Sequence, residues 1–81
     1  MSIFSPARSI EYFDHPVSGQ VTQTIQGNRL GQVFCDGTHW RAKLAGWMLD
    51  EVITLSVGEC VAVVGRQGNI LVVSSDWING L

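Results

Sequence analysis

The alternation of polar and apolar positions along this chain changes too quickly for helices. From Ser18 onward, Gly19, Gly27-Asn28, Gly31, Asp36-Gly37, Gly46, Gly58, Gly65 and Gln67-Gly68-Asn69 bracket short runs rich in Val, Ile and Thr. Punctuation at this spacing predicts an all-β domain, closed or sandwich-like. Five strands follow from it: Gln20 to Ile25, Gly31 to Cys35, Thr38 to Leu44, Glu59 to Arg66, and Asn69 to Ser74. Asp36-Gly37 and Gln67-Gly68 each separate two successive runs, and both pairs tolerate the positive φ of tight hairpin turns. The third run alternates Trp40, Ala42 and Leu44 with His39, Arg41 and Lys43, so the first three should face a core and the others water. The fourth, Cys60 to Val64, is almost uniformly apolar, as in a strand covered on both faces or one whose outer face meets a partner.

Two stretches break this rhythm. Residues 1–17 carry Pro6 and Pro16 and no sustained period, so they read as a leader that covers a barrel edge or stays mobile; Ser9 to Phe13 could add one short strand within it. Between the third and fourth runs, the β-branched Val52, Ile53 and Thr54 argue against a long helix and for a loop or short extended segment. The expected organisation is a leader at 1–17, a barrel domain at 18–75 and an apolar tail at 76–81.

Size and charge narrow the function classes. With 81 residues and a hydrophobic fraction of 46 %, the chain fits one domain. A domain this short hides roughly 60–65 % of its unfolded surface, so a partner or self-association would help its stability. Five Lys and Arg against seven Asp and Glu give a net charge of −2, which argues against phosphate binding as the main task. Cys35 and Cys60 lack metal-ligand spacing and fall in apolar runs, so buried free thiols are expected ahead of the alternative, a disulfide. No apolar run approaches the ~18–20 residues of a membrane-crossing helix, and the first residues lack the regions of a signal peptide. The expectation is a soluble, cytoplasmic protein, peripheral to a membrane only through a partner.

Chemistry is hard to place. His15 and His39 are the only histidines, and no Gly-x-Ser-x-Gly, His-Glu-x-x-His or phosphate-cradling glycine loop occurs. The adjacent Asp50 and Glu51 would point to opposite sides of an extended segment and form no acid/base pair. No catalytic residue, cofactor or metal is therefore expected.

The ordered set Gly19-Gln20-Val21, Gly31-Gln32-Val33, Gly37 with Trp40-Arg41-Ala42, Gly58-Glu59-Cys60-Val61-Ala62-Val63 and Gly68-Asn69-Ile70-Leu71-Val72-Val73 resembles the soluble C-terminal domain of NfeD-like proteins. The resemblance covers about two-thirds of the chain. It implies a small five-stranded OB-like β-barrel that acts as an interaction domain alongside membrane scaffolds of the stomatin, prohibitin and flotillin class. Family members usually carry the domain behind transmembrane helices, and longer forms add a serine protease domain. This sequence contains neither, so the resemblance implies no peptidase activity, and a link to a scaffold has to come from binding.

Three groups of residues compete as the binding site. Trp47, Met48 and Leu49, between a glycine and an acidic pair, are hard to bury in so small a barrel and suit a protein-binding anchor; a plug folded over the barrel end is the other reading. Trp77 and Ile78 follow a polar Ser74-Ser75-Asp76 spacer and dock either on their own barrel or on a neighbouring subunit. Phe34, His39, Arg41 and Lys43 form a narrow basic face of the kind OB folds use for single-stranded nucleic acid, or an ordinary solvated face. The expected function is a non-enzymatic interaction module, an adaptor or regulator of a membrane-associated scaffold. Nucleic-acid binding and pure self-assembly as a homo-oligomer are the alternatives.

Overall fold

A computed structural model describes residues 9–27, 29–46 and 53–75. Seven strands run in chain order: β1 (Glu11–Gln23), β2 (Ile25–Gln26), β3 (Gly31–Cys35), β4 (Thr38–Leu44), β5 (Thr54–Leu55), β6 (Cys60–Gln67) and β7 (Ile70–Ser74). Five of them close into a barrel in the order β1-β3-β4-β7-β6, and β2 pairs with β5 as a separate small sheet. Every pairing is antiparallel except β4 with β7, which is parallel, with Ala42 opposite Leu71 and Leu44 opposite Val73. Closure leaves no continuous sheet edge, which suits a barrel built from short strands. This is a small OB-like β-barrel.

Two-residue turns fix the hairpins. Asp36 and Gly37 both have positive φ, 54° and 82°, so β3 returns as β4 through a turn whose twist matches that of the strands. Gly68, at φ 61°, opens the Gly68-Asn69 turn between β6 and β7. The registers that result put Val33 opposite Trp40 and Phe34 opposite His39, one pair inward and one outward.

The core draws on every barrel strand: Val21, Val33, Cys35, Ala42, Leu44, Val61, Val63, Leu71 and Val73 form one cluster, with Trp40 and Phe13 packed against it. Ile25 and Leu55 belong to the same cluster, so the small β2–β5 sheet closes the barrel at the Gly31 end of β3. There the interior is narrow. Gly31 pairs with Ala42, and a Cβ on Gly31 would lie 2.5 Å from the Ile25 Cγ1 atom.

Two sequence expectations need correction, and one of two open readings is settled. The first strand begins at Glu11, nine residues before Gln20, and ends at Gln23, with Ile25 belonging to β2. Its early half was hidden because Glu11 to Ser18 bury almost nothing and show no alternation; the β1–β6 register shifts between Tyr12 and Val17, across Pro16, which has no N–H for the ladder. Thr54-Leu55 is a short strand with its own partner, as one of the two readings of that stretch allowed. Cys60 is exposed and only Cys35 is buried. Cys60 pairs with the exposed Gln20 on the outer side of the barrel, opposite in phase to the inward Val61.

Candidate functional site

At the end of the barrel opposite the small sheet lies an open, mainly apolar cleft of about 310 Å³. Val63 and Leu71, both in the core cluster, form its floor, and Phe13 and Val17 from β1 form one wall. The β3–β4 hairpin lines it through Cys35, Asp36 and Trp40, and β6 adds Arg66. The Trp40 indole Nε1 donates to the Cys35 carbonyl at 3.2 Å, which fixes the ring against its own hairpin. The Arg66 Nε donates to the Gly68 carbonyl at 3.3 Å, tying the guanidinium to the neighbouring turn. Burial, and secondly the nearby Asp36 charge, push the Cys35 thiol above its ordinary pKa, so it stays protonated and apolar in character. The cleft is suited to taking up large apolar side chains, with one group of each charge at its rim.

The outer face of β3 and β4 carries the four residues expected there. Phe34, 42 % exposed, meets His39 edge-on with ring centroids 5.0 Å apart, because the hairpin register sets them side by side. Arg41 lies further along β4 opposite Gln32, and the Lys43 ammonium donates to the Gln67 side-chain oxygen on β6. Phe34, His39 and Arg41 therefore stand exposed on one stripe, and Lys43 is half-buried and tethered. Trp47, Met48, Leu49, Trp77 and Ile78 lie outside the described residues. Among the described residues, no group of three or more His, Cys, Asp or Glu side chains could hold a metal ion.

Sequence reasoning did not find the cleft. Its contributors come from five strands, and Phe13 and Val17 sit in a stretch without a period. Trp40 was legible as an inward residue, and it is partly buried against the core.

The domain is a closed barrel with an apolar mouth. The chain belongs to the NfeD-like family: residues 17–74 match the NfeD-like C-terminal, partner-binding domain. Among solved structures it is similar to the C-terminal domain of stomatin operon partner protein 1510-C from Pyrococcus horikoshii, at 25 % identity and a TM-score of 0.57 over 73 % of this chain and 81 % of that one. No curated protein matches. Among the described residues, no helix is long and apolar enough to cross a membrane.

Proposed function

We propose that this domain is a non-enzymatic protein–protein interaction module, an adaptor or regulator of a membrane-associated scaffold of the stomatin, prohibitin or flotillin class. The observation that carries this reading is the family match, which spans residues 17–74 and describes a partner-binding domain. The similarity to an archaeal stomatin operon partner supports the choice of scaffold class. Trp47, Met48 and Leu49 supply the anchor in this reading, since large apolar side chains bury much area with few torsions to freeze. The cleft adds apolar area at the barrel mouth.

The outer stripe of Phe34, His39 and Arg41 favours one second reading, single-strand nucleic-acid binding, in which the ring pair would stack on bases. Salt separates the two. Titrating the purified domain against the soluble part of a stomatin-class scaffold and against a single-stranded oligonucleotide, at ~50 and ~200 mM salt, gives distinct outcomes. The interaction module predicts saturable protein binding that changes little with salt. Oligonucleotide binding that collapses at the higher salt, with no protein binding, would replace it with the second reading.

A further inference from the structure

The cleft at the open end is bordered by a large bulge in β1. Tyr12 pairs with Gly65 and Val17 with Val63, so four residues of β1 stand against one of β6. Bulges bend a strand and re-aim its side chains, and they recur beside binding sites. Here the bulged stretch holds Phe13 half-buried against the core and leaves Val17 44 % exposed, and both line the cleft. Trp40 lines the same space from β4, pinned by its bond to the Cys35 carbonyl and also only half-buried. Three sizeable apolar side chains thus keep part of their surface uncovered around one opening, which is the mark of a surface that a ligand covers. The margin of β1 is a poor template for an added strand, because its register breaks there and Pro16 has no N–H to offer. An inserted side chain fits better. At about 310 Å³ the cleft lies at the bottom of the ~300–1,000 Å³ range of small-molecule pockets, which suits one large side chain with its immediate neighbours.

Charge selects what stands beside that side chain. The segments that form the cleft, 11–17, 35–40 and 63–66 with Leu71, carry the acids Glu11, Asp14 and Asp36 and, besides His15 and His39, the single base Arg66. Arg66 is opposed by Glu11 across the β1–β6 ladder, and its Nε is committed to the Gly68 carbonyl. Asp36 is exposed at the hairpin tip. Burial first and the Asp36 carboxylate second raise the pKa of the Cys35 thiol, so the Asp36 charge is felt at the cleft wall. We propose that the cleft takes one large apolar side chain, of the size of phenylalanine or leucine, from a protein partner whose segment carries lysine or arginine next to it, with that cation set against Asp36. This occupant rests on the reading of the domain as an interaction module and names the chemistry that the module recognises. The apolar walls supply most of the affinity, and the acids at the mouth draw a basic segment in and turn an acidic one away.

The test is a titration of the isotopically labelled full chain, followed by nuclear magnetic resonance, with three end-blocked peptides. The first is Gly-Lys-Phe-Lys-Gly; the second has glutamate in place of both lysines, and the third has alanine in place of phenylalanine. Saturable shifts with the first are expected at the Trp40 indole N–H and the amides of Phe13, Val17 and Asp36. The alanine peptide should bind about tenfold more weakly or worse, and the glutamate peptide about fivefold more weakly or worse. Asp36→Asn keeps the turn, because asparagine tolerates the φ of 54°. It should bind the lysine peptide about twofold to fivefold less tightly and narrow the preference over the glutamate peptide. Equal binding of the lysine and glutamate peptides, binding indifferent to the phenylalanine, shifts at Phe34 and Arg41 instead, or no shift with any peptide would overturn the proposal. So would movement of the same signals on dilution of the chain alone, which puts a second copy in the cleft. Scaffold capture that persists when the lysine peptide fails overturns this occupant and leaves the interaction module standing, whereas peptide binding without scaffold capture does the reverse.

Discussion

At the scale of single residues, the glycines divide by what surrounds them. A Cβ on Gly65 would come within 2.6 Å of the Glu11 carbonyl oxygen and 3.1 Å of the Tyr12 Cα, both backbone atoms of the paired β1. Gly65→Ala should therefore cost about 1–3 kcal/mol, read as a lowered midpoint in thermal or urea unfolding. Gly46→Ala is the control. Nothing lies within 4 Å of its added methyl and its φ is ordinary, so its effect should stay within about 0.5 kcal/mol. The cysteines divide similarly. Exposed Cys60 should alkylate quickly in the native protein and buried Cys35 slowly, as mass spectrometry of partly labelled protein would show. Because the Cys35 pKa is raised, its rate should climb only at higher pH than for an ordinary thiol, and Asp36→Asn should bring part of that climb to lower pH. Equal labelling of the two at neutral pH would contradict this assignment. The sequence could not tell the two cysteines apart, since both sit in apolar runs and only the phase of the strand decides which way each faces.

At the scale of elements, hairpins were the legible part. Asp36-Gly37 carried its turn in its own composition, and the alternation around Ala42 and Leu44 placed β4 with the correct face inward. Gly37→Ala would force a β-carbon onto φ 82°, so it should destabilise the barrel by about 1 kcal/mol; an unchanged unfolding midpoint would mean that the turn relaxes. Elements held by partners far along the chain were less legible. The first half of β1 is defined by pairing Glu11 with Arg66 and Tyr12 with Gly65, more than fifty residues away, and not by any local period. β5 spans only two residues, and its existence rests on Ile25 and Gln26 across from it. The cleft inherits this difficulty, because it exists only once β1, the β3–β4 hairpin and the β6–β7 hairpin are assembled.

At the scale of the whole molecule, the barrel has one end closed by the β2–β5 sheet and the other left open and apolar. An open end with apolar walls is consistent with a domain that binds through burial of side chains. Val17 stands at that rim with 44 % of its surface exposed, so Val17→Glu should weaken partner binding by tenfold or more while leaving the unfolding midpoint nearly unchanged, as a binding isotherm and a melt would show. The central claim, that this is a binding module for a membrane-associated scaffold, is tested most directly by affinity capture. The tagged chain, beside its Trp47→Ala variant, would be used on a nuclease-treated, detergent-solubilised extract of the source cell. The account predicts specific recovery of a stomatin-, prohibitin- or flotillin-class protein by the native chain and its loss with the variant. Recovery of no protein but the domain itself would contradict it, whereas equal recovery of the scaffold by both chains would overturn only the Trp47 anchor.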